Sequence, residues 1–240
     1  MLRTFTDIHS HILPGADDGA KDKAQAIELL RQMQDIGVDK LIFTPHYCKR
    51  REYTKSVSEI KEIFDDFVIT CKNEGIKIKM YLGTEMEYST DAVRYIREER
   101  VLRLADSSYI LLEFPPYVKK DTVITAVKEI CQLGLIPIIA HVERYKHLQG
   151  DFETILTLKN IGAQLQINIR SVCACRFKMK RFLKKIISRE LADYLAGDVH
   201  LSAIEKKEFD KCCQFVIKNS SSKYLDRLLA GNAKNIINGR

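Results

Sequence analysis

The stretch YILLEFPPYVKKDTVITAVKEICQLGLIPIIAH, from Tyr109 to His141, contains the unit that decides the fold. Two short runs, residues 109–114 and 136–141, are apolar at successive positions rather than alternate ones. A strand of that kind buries both faces, which is the habit of parallel sheets covered by helices. Between the runs, residues 119–133 carry apolar side chains at helical spacing, so the whole reads as strand, helix, parallel strand. Each strand closes on a reactive side chain, Glu113 in the first and His141 in the second.

The rhythm repeats along the chain. Strands are expected at residues 5–9, 40–44, 77–83, 109–114, 136–141, 163–168 and 192–197. Helices are expected at 21–35, 56–73, 90–99, 119–133, 151–160 and 178–189, with Gly37 and Gly75 placed to end the first two. A helical tail over 203–218 and 223–229 is expected to pack outside. Seven alternations argue for one domain over residues 1–240, built as a closed barrel or a doubly wound open sheet.

Composition excludes several classes. The 45% apolar and 30% charged content is that of a globular chain. The net charge of +7 is spread over 39 basic and 32 acidic residues, with clusters at 49–51 and 176–185. No aromatic-interleaved basic stripe marks a nucleic-acid module. The seven cysteines are odd in number and irregularly spaced, so a reducing, cytoplasmic setting is expected, and Cys173-Ala174-Cys175 has no second pair at zinc spacing. The N-terminus lacks the apolar core of a signal peptide, and no run reaches the ~20 apolar residues of a membrane span.

Six of the seven expected strands deliver a His, Asp or Glu at their C-terminal ends: His9 and His11, His46, Glu85, Glu113, His141, then Asp198 and His200. That edge of a parallel α/β sheet is where sites are built. Residues two apart on a strand share a face, with Cα atoms about 6.5 to 7 Å apart, so His9 with His11 and Asp198 with His200 can converge. Mixed imidazole and carboxylate donors suit Mn²⁺, Fe²⁺ or Zn²⁺, and their number exceeds what one tetrahedral ion needs.

Each residue also has a plainer role. His46 or Asp17 and Asp18 alone would be loop or cap residues, Glu113 alone an ion-pair partner, Glu87 a solvated carboxylate, and His147 a surface residue. Arg144, three residues after His141, has the charge and fork to bind a phosphate, or equally to form a rim salt bridge. Tyr47 and Tyr145 flank two of the histidines and are candidates for a pocket wall or for packing.

Taken in order, DIHSHILPGADDG, TPHY, GTEMEY, LLEF, IAHVERY, QIN and GDVH resemble the polymerase and histidinol phosphatase (PHP) superfamily. More narrowly, they resemble its bacterial metal-dependent protein-tyrosine phosphatases of capsular and extracellular polysaccharide synthesis, and the resemblance spans essentially the whole chain. It implies a distorted (β/α)7 TIM-like barrel with three divalent ions, usually Mn²⁺, with Fe²⁺, Zn²⁺ or Mg²⁺ as alternatives. The implied ligands are His9, His11, Asp18, His46, Glu85, Glu113, His141, Asp198 and His200; the resemblance alone selects Asp18 over Asp17. It also implies that Arg144 holds the substrate phosphate, with Asp198 and His200 at the reacting centre. The implied substrate is phosphotyrosine in the tail of a bacterial tyrosine autokinase, a membrane-associated partner, with no membrane insertion of this chain and oligomers allowed. One departure stands out. The branch often carries an asparagine and then an arginine after Asp-x-His, whereas here Leu201 follows and no arginine does, leaving Lys206 or Lys207 to substitute.

The chemistry implied is in-line attack of a metal-activated water on a phosphomonoester. A phenolate leaving group, with pKa near 10, needs little acid assistance. Cys131 lacks the arginine of a Cys-x5-Arg loop, which argues against a cysteine phosphoenzyme. Competing readings are a small-molecule phosphatase of the histidinol phosphate type, a metal-dependent amidohydrolase, and a metal-stabilised protein that binds the phosphorylated tail without turnover. The amidohydrolase scheme leaves His46 unexplained.

Overall fold

The computed structural model describes residues 3–174 and 177–239. Its strands are β1 (Phe5–Ser10), β2 (Val38–Phe43), β3 (His46–Tyr47), β4 (Lys79–Leu82), β5 (Glu85–Glu87), β6 (Tyr109–Glu113), β7 (Ile136–Ile139), β8 (Gln164–Asn168) and β9 (Tyr194–Ala196). Every pairing between them is parallel. Nine segments stand where seven strands were expected, because two strands break midway. Thr44-Pro45 separates β2 from β3, where proline has no N–H for the ladder. Gly83-Thr84 separates β4 from β5, and a Cβ on Gly83 would lie 2.6 Å from Leu104 Cδ2, so only glycine lets the chain pass there.

The breaks divide the pairing into a three-stranded sheet, β1-β2-β4, and a six-stranded sheet, β3-β5-β6-β7-β8-β9. Beyond β9 the chain returns to β1: Ser10 bridges Val199, His11 N–H donates to Val199 O at 2.8 Å, and Asp198 N–H donates to His9 O at 2.9 Å. The result is a curled parallel sheet, not the doubly wound open sheet that the alternation also allowed.

The helices are α1 (Lys23–Asp35), α2 (Val57–Asn73), α3 (Ala92–Arg97), α4 (Lys120–Gln132), α5 (Phe152–Ile161), α6 (Ile169–Ala174), α7 (Phe177–Ser188), α8 (Lys206–Asn219), α9 (Ser222–Asp226) and α10 (Ala233–Ile237). Local chemistry sets their starts. Asp22 caps α1 by accepting from Gln25 N–H, and Ser56 with Glu59 forms a capping box on α2. The N-cap of α1 is therefore neither Asp17 nor Asp18.

Strand residues alternate between two cores, as period-2 geometry requires. Leu41, Phe43, Ile110, Leu112, Ile139 and Leu165 meet helix residues such as Leu30, Phe67, Ile130 and Leu158. Ile42, Tyr109, Leu111, Ile138, Tyr194 and Ala196 form the second core, within the curl. Phe209, Val216, Leu225 and Leu229 of the expected helical tail join the core shared with the outer helices. Beyond that tail, Ala233 and Ile236 of α10 belong to the inner core, and Asn232 donates to Asp193 O just before β9, at the N-terminal end of the strands. This last segment thus plugs the bottom of the curl and leaves the C-terminal edge for the polar residues.

Candidate metal centre

Seven ends and loops along that edge bring all nine sequence-predicted donors together. Glu85, at the start of β5, occupies the middle: its Oε2 lies 3.2 Å from His9 Nε2, 3.2 Å from His11 Nε2 and 3.1 Å from His46 Nε2. Its Oε1 lies 3.0 Å from His141 Nε2. Asp198 Oδ1 stands 3.4 to 3.6 Å from nitrogens of His9, His11 and His200. Asp18 Oδ1 is 3.1 Å from His46 Nδ1 and 3.7 Å from His200 Nε2. Glu113 reaches His141 at 3.7 Å and His46 at 3.9 Å.

Three overlapping groups have donor atoms close enough to share an ion: His11, Asp18, His46 and His200; His9, His11 and Glu85; and His46, Glu85 and Glu113. The donor set itself calls for cations. His9 Nε2 faces His11 Nε2 at 3.1 Å, a separation at which two imidazole nitrogens need a proton or a metal between them. His11 stacks on His46 at 4.1 Å and on His200 at 4.0 Å between centroids. His9, His11 and Glu85 are at most 1% exposed, so the charges there must be compensated internally.

Electrostatics say what does so without metal. Burial and the neighbouring His11 push His46 down, but Glu85, Asp17 and Asp18 lift it to about 10. His9 and His11 are likewise raised against burial, by Glu85 and Asp198 for the former and chiefly by Asp17 for the latter. Burial favours the neutral carboxyl of Glu85, yet His9 and His46 hold it well below its usual range. Glu113 goes the other way: burial and the Glu85 carboxylate push it up to about 7 against the pull of Arg51 and His46. Protons on imidazole supply the positive charge that divalent ions would replace.

A ring of unassigned residues orients the donors. Asp17 Oδ2 accepts from His11 Nδ1 at 2.6 Å, from His46 Nδ1 at 2.9 Å and from His46 N–H at 2.8 Å, while its Oδ1 accepts from Gly19 N–H at 3.0 Å. Holding Nδ1 this way turns Nε2 of both rings inward. β8, the one expected strand without a His, Asp or Glu, contributes amides. Gln166 Oε1 accepts from His141 N–H at 2.8 Å and lies 3.2 Å from His9 Nδ1. Gln166 also donates to Asn168 at 2.6 Å, and Asn168 donates to Asp198 Oδ2 at 2.7 Å. The sequence signal was available: Gln166 and Asn168 are two apart, the same spacing as the paired histidines.

His141 (φ 32°) and Asp198 (φ 49°) both adopt left-handed backbone. For residues other than glycine this costs roughly 1–3 kcal/mol each and persists where the surroundings over-determine it. Two donors at strand ends are therefore held in place against local preference.

Other expectations are sorted by geometry. Arg144 Nη2 donates to Asp198 Oδ2 at 2.5 Å, with 49% of its side chain exposed, so it caps the site from solvent. Tyr145 is core: its hydroxyl accepts from Phe114 N–H at 2.9 Å. Tyr47 is buried against Tyr95. Glu87 is not solvated, since it accepts from Cys48 Sγ at 2.7 Å and Arg50 at 2.6 Å. His147 is half-buried against Tyr145 rather than a surface residue, and burial pushes its pKa down. Cys175 lies outside the described residues, as does Arg176 of the second basic cluster.

Comparison with known proteins follows the same lines. Residues 5–238 match the family model for capsular polysaccharide synthesis, CpsB/CapC. The tyrosine-protein phosphatase CpsB of Streptococcus pneumoniae is 29% identical over 247 residues, covering 96% of this chain and 97% of that protein. The tyrosine-protein phosphatase YwqE of Bacillus subtilis (strain 168) is 30% identical over 195 residues, covering 81% and 76%. The fold matches a chain from the crystal structures of YwqE from Bacillus subtilis and CpsB from Streptococcus pneumoniae, metal-dependent tyrosine phosphatases, with a TM-score of 0.88, 26% identity and coverage of 98% and 95%. Histidinol phosphate phosphatase from Lactococcus lactis shares the fold alone, at TM-score 0.58 and 14% identity.

Proposed function

Since the chain belongs to the CpsB/CapC family of capsular polysaccharide synthesis, we propose that it is a metal-dependent tyrosine phosphatase whose centre is the nine-donor cluster. The observation that carries the reading is the convergence of His9, His11, Asp18, His46, Glu85, Glu113, His141, Asp198 and His200 on one edge, with Arg144 over it. Three ions fit three overlapping donor groups, and manganese suits the mixed imidazole and carboxylate set. The seven strand paths, with β2 running into β3 and β4 into β5, support a distorted (β/α)7 barrel.

Bound divalent ions supply an acidified water and positive charge at the transferring phosphoryl group. The chain's residues do the rest. Arg144, anchored on Asp198, turns its fork toward the equatorial phosphate oxygens and neutralises charge as the phenolate departs. Asp17, Gln166 and Asn168 fix the donors so that no reorganisation accompanies the reaction. His200, 30% exposed and 3.6 Å from Asp198 Oδ1, is the group placed to move a proton at the leaving oxygen, while Asp198 stays buried and ionised beside it.

The substrate we propose is a phosphotyrosine segment of a bacterial tyrosine autokinase that controls polysaccharide synthesis. The family's role in capsular polysaccharide synthesis and the half-exposed Arg144 support a protein substrate reaching in from solvent. We place the protein in the cytoplasm, where a bacterial tyrosine autokinase would present its phosphorylated tail; among the described residues no helix is long and apolar enough to cross a membrane. A panel of phosphotyrosine peptide, phosphoserine peptide, histidinol phosphate and an amide substrate tests the reading. Preferential release of phosphate from the phosphotyrosine peptide is expected; turnover of histidinol phosphate or amide alone would overturn it.

A further inference from the structure

After Asp198-Val199-His200 the run from Leu201 to Phe209 holds two lysines and no arginine. Both lysines are engaged away from the nine donors. Lys206 is paired with Asp210 and Lys207 with Glu205 on the exposed start of α8. Among the described residues, two cationic side chains other than histidine pair with the nine donors: Arg144 on Asp198, and Arg51 on Glu113 and Asp18.

Arg51 comes from a short loop built to present it. Cys48 and Tyr53 exchange backbone hydrogen bonds at 2.8 and 3.0 Å, and Glu52 takes a left-handed turn at φ 62° to close the loop six residues after His46. Of the three consecutive cations, Arg50 turns away to Glu87 at 2.6 Å. Arg51 turns inward. Its guanidinium lies against the Tyr53 ring at 5.7 Å, its Nε donates to Cys48 Sγ at 3.4 Å, and its Nη2 donates to Glu113. Nη1 stands 3.9 Å from Asp18 Oδ2, too far for a hydrogen bond, so its N–H groups are open to an anion. The side chain is 28% exposed, held on one edge and accessible on the other.

We propose that Arg51 is the second phosphate-binding residue of this site, gripping the substrate phosphate from the Glu113 and Asp18 side while Arg144 grips it from the Asp198 side. The inference rests on the phosphatase reading above. A guanidinium has five donors in a plane, so the edge clamped by Glu113 and Cys48 orients the remaining N–H groups, and a carboxylate can serve a metal with one oxygen and arginine with the other. The alternative is that Arg51 only positions Glu113.

The test uses the full chain loaded with Mn²⁺, comparing parent, Arg51→Gln, Arg51→Lys, Arg144→Gln and Lys206→Gln. It reads metal content, binding of inorganic phosphate by calorimetry, and KM and kcat on a phosphotyrosine peptide. Arg51→Gln is expected to keep its manganese, weaken phosphate about tenfold or more and raise KM. Arg51→Lys, which keeps the ion pair with Glu113, is expected to fall between, and Lys206→Gln to match the parent. Phosphate affinity and KM within about twofold of the parent in Arg51→Gln with its metal retained would overturn the proposal. So would loss of manganese in that variant together with unchanged phosphate binding in Arg51→Lys, because the arginine would then act on the ligand alone. A parent protein that binds manganese but neither binds phosphate nor hydrolyses the peptide would instead sink the phosphatase reading, and this inference with it.

Discussion

Replacing Asp17 by asparagine removes one charge and almost no volume, yet it should loosen the metal centre more than any comparably conservative change nearby. The carboxylate accepts four hydrogen bonds: two from imidazoles, at 2.6 and 2.9 Å, and two from backbone N–H groups, at 2.8 and 3.0 Å. Asparagine has one acceptor oxygen and an NH₂ group. Turned one way, its NH₂ confronts the His11 and His46 Nδ1–H donors; turned the other, it confronts Gly19 N–H. Either orientation forfeits at least one charge-assisted bond, worth roughly 1.5–3 kcal/mol, and permits a tautomer that carries the proton on Nε2. Because 1.4 kcal/mol is about tenfold in an equilibrium constant, manganese affinity should fall about 10- to 100-fold. Competition titration against a chelator measures this, with thermal denaturation of the metal-free protein as the control for folding. Asp22→Asn, at the N-cap of α1, is the matched comparison, since asparagine caps as well as aspartate and Asp22 is remote from the donors. A manganese affinity for Asp17→Asn within about twofold of the parent would refute the idea that orienting residues hold this site.

Three further outcomes follow from particular contacts. Gly19→Ala should cost metal binding as severely as loss of a donor, because its Cβ would stand 1.7 Å from His11 O and force the Asp17-Asp18 loop away; unchanged manganese stoichiometry would contradict this. Arg144→Ala should reduce kcat/KM on phosphotyrosine peptide by about 10- to 100-fold with metal content preserved, and unchanged turnover would remove the residue from the site. The metal-free protein should lose stability as pH rises from about 6.5 toward 10, because His46 is raised in the folded state to about 10 from its ordinary 6.5 and its contribution vanishes as that proton leaves. Metal affinity should rise over the same window, since ions and protons compete for the imidazoles, and parallel pH trends in thermal scans with and without manganese would refute the assignment.

Much of this centre was legible in the sequence because the chemistry concentrates at one kind of position. Strands apolar on both faces announced a parallel sheet, and a parallel sheet makes the C-terminal ends the place to look for donors. His9, Glu113 and His141 were singled out that way as candidate donors, and the fold brings them to one edge. What stayed hidden depends on side chains whose types are ambiguous. Asp17 and Asp18 are adjacent and identical, and only the folded loop makes one an orienting group, buried against two imidazole Nδ1 atoms, and the other a donor at the solvent edge. Gln166 and Asn168 share the two-apart spacing of the paired histidines, but an amide is neither a usual metal ligand nor titratable, so the spacing alone did not announce an orienting role. The splitting of two strands at Thr44-Pro45 and Gly83-Thr84 is a property of closure, which local patterns do not encode. The terminal helix α10 went unread for a related reason: a short apolar stripe shows that a helix face is covered, not by what, and α10 is covered by the inner core.

The measurement that tests the central claim most directly is phosphotyrosine peptide hydrolysis by one preparation of protein, first stripped of metal by chelation and then titrated with Mn²⁺, with bound metal counted at each point. The account predicts no turnover in the stripped protein, recovery that saturates at about three ions per chain, and indifference to alkylation of the cysteines. Full activity in protein verified to be free of metal, or activity abolished by the thiol reagent with manganese still bound, would contradict it.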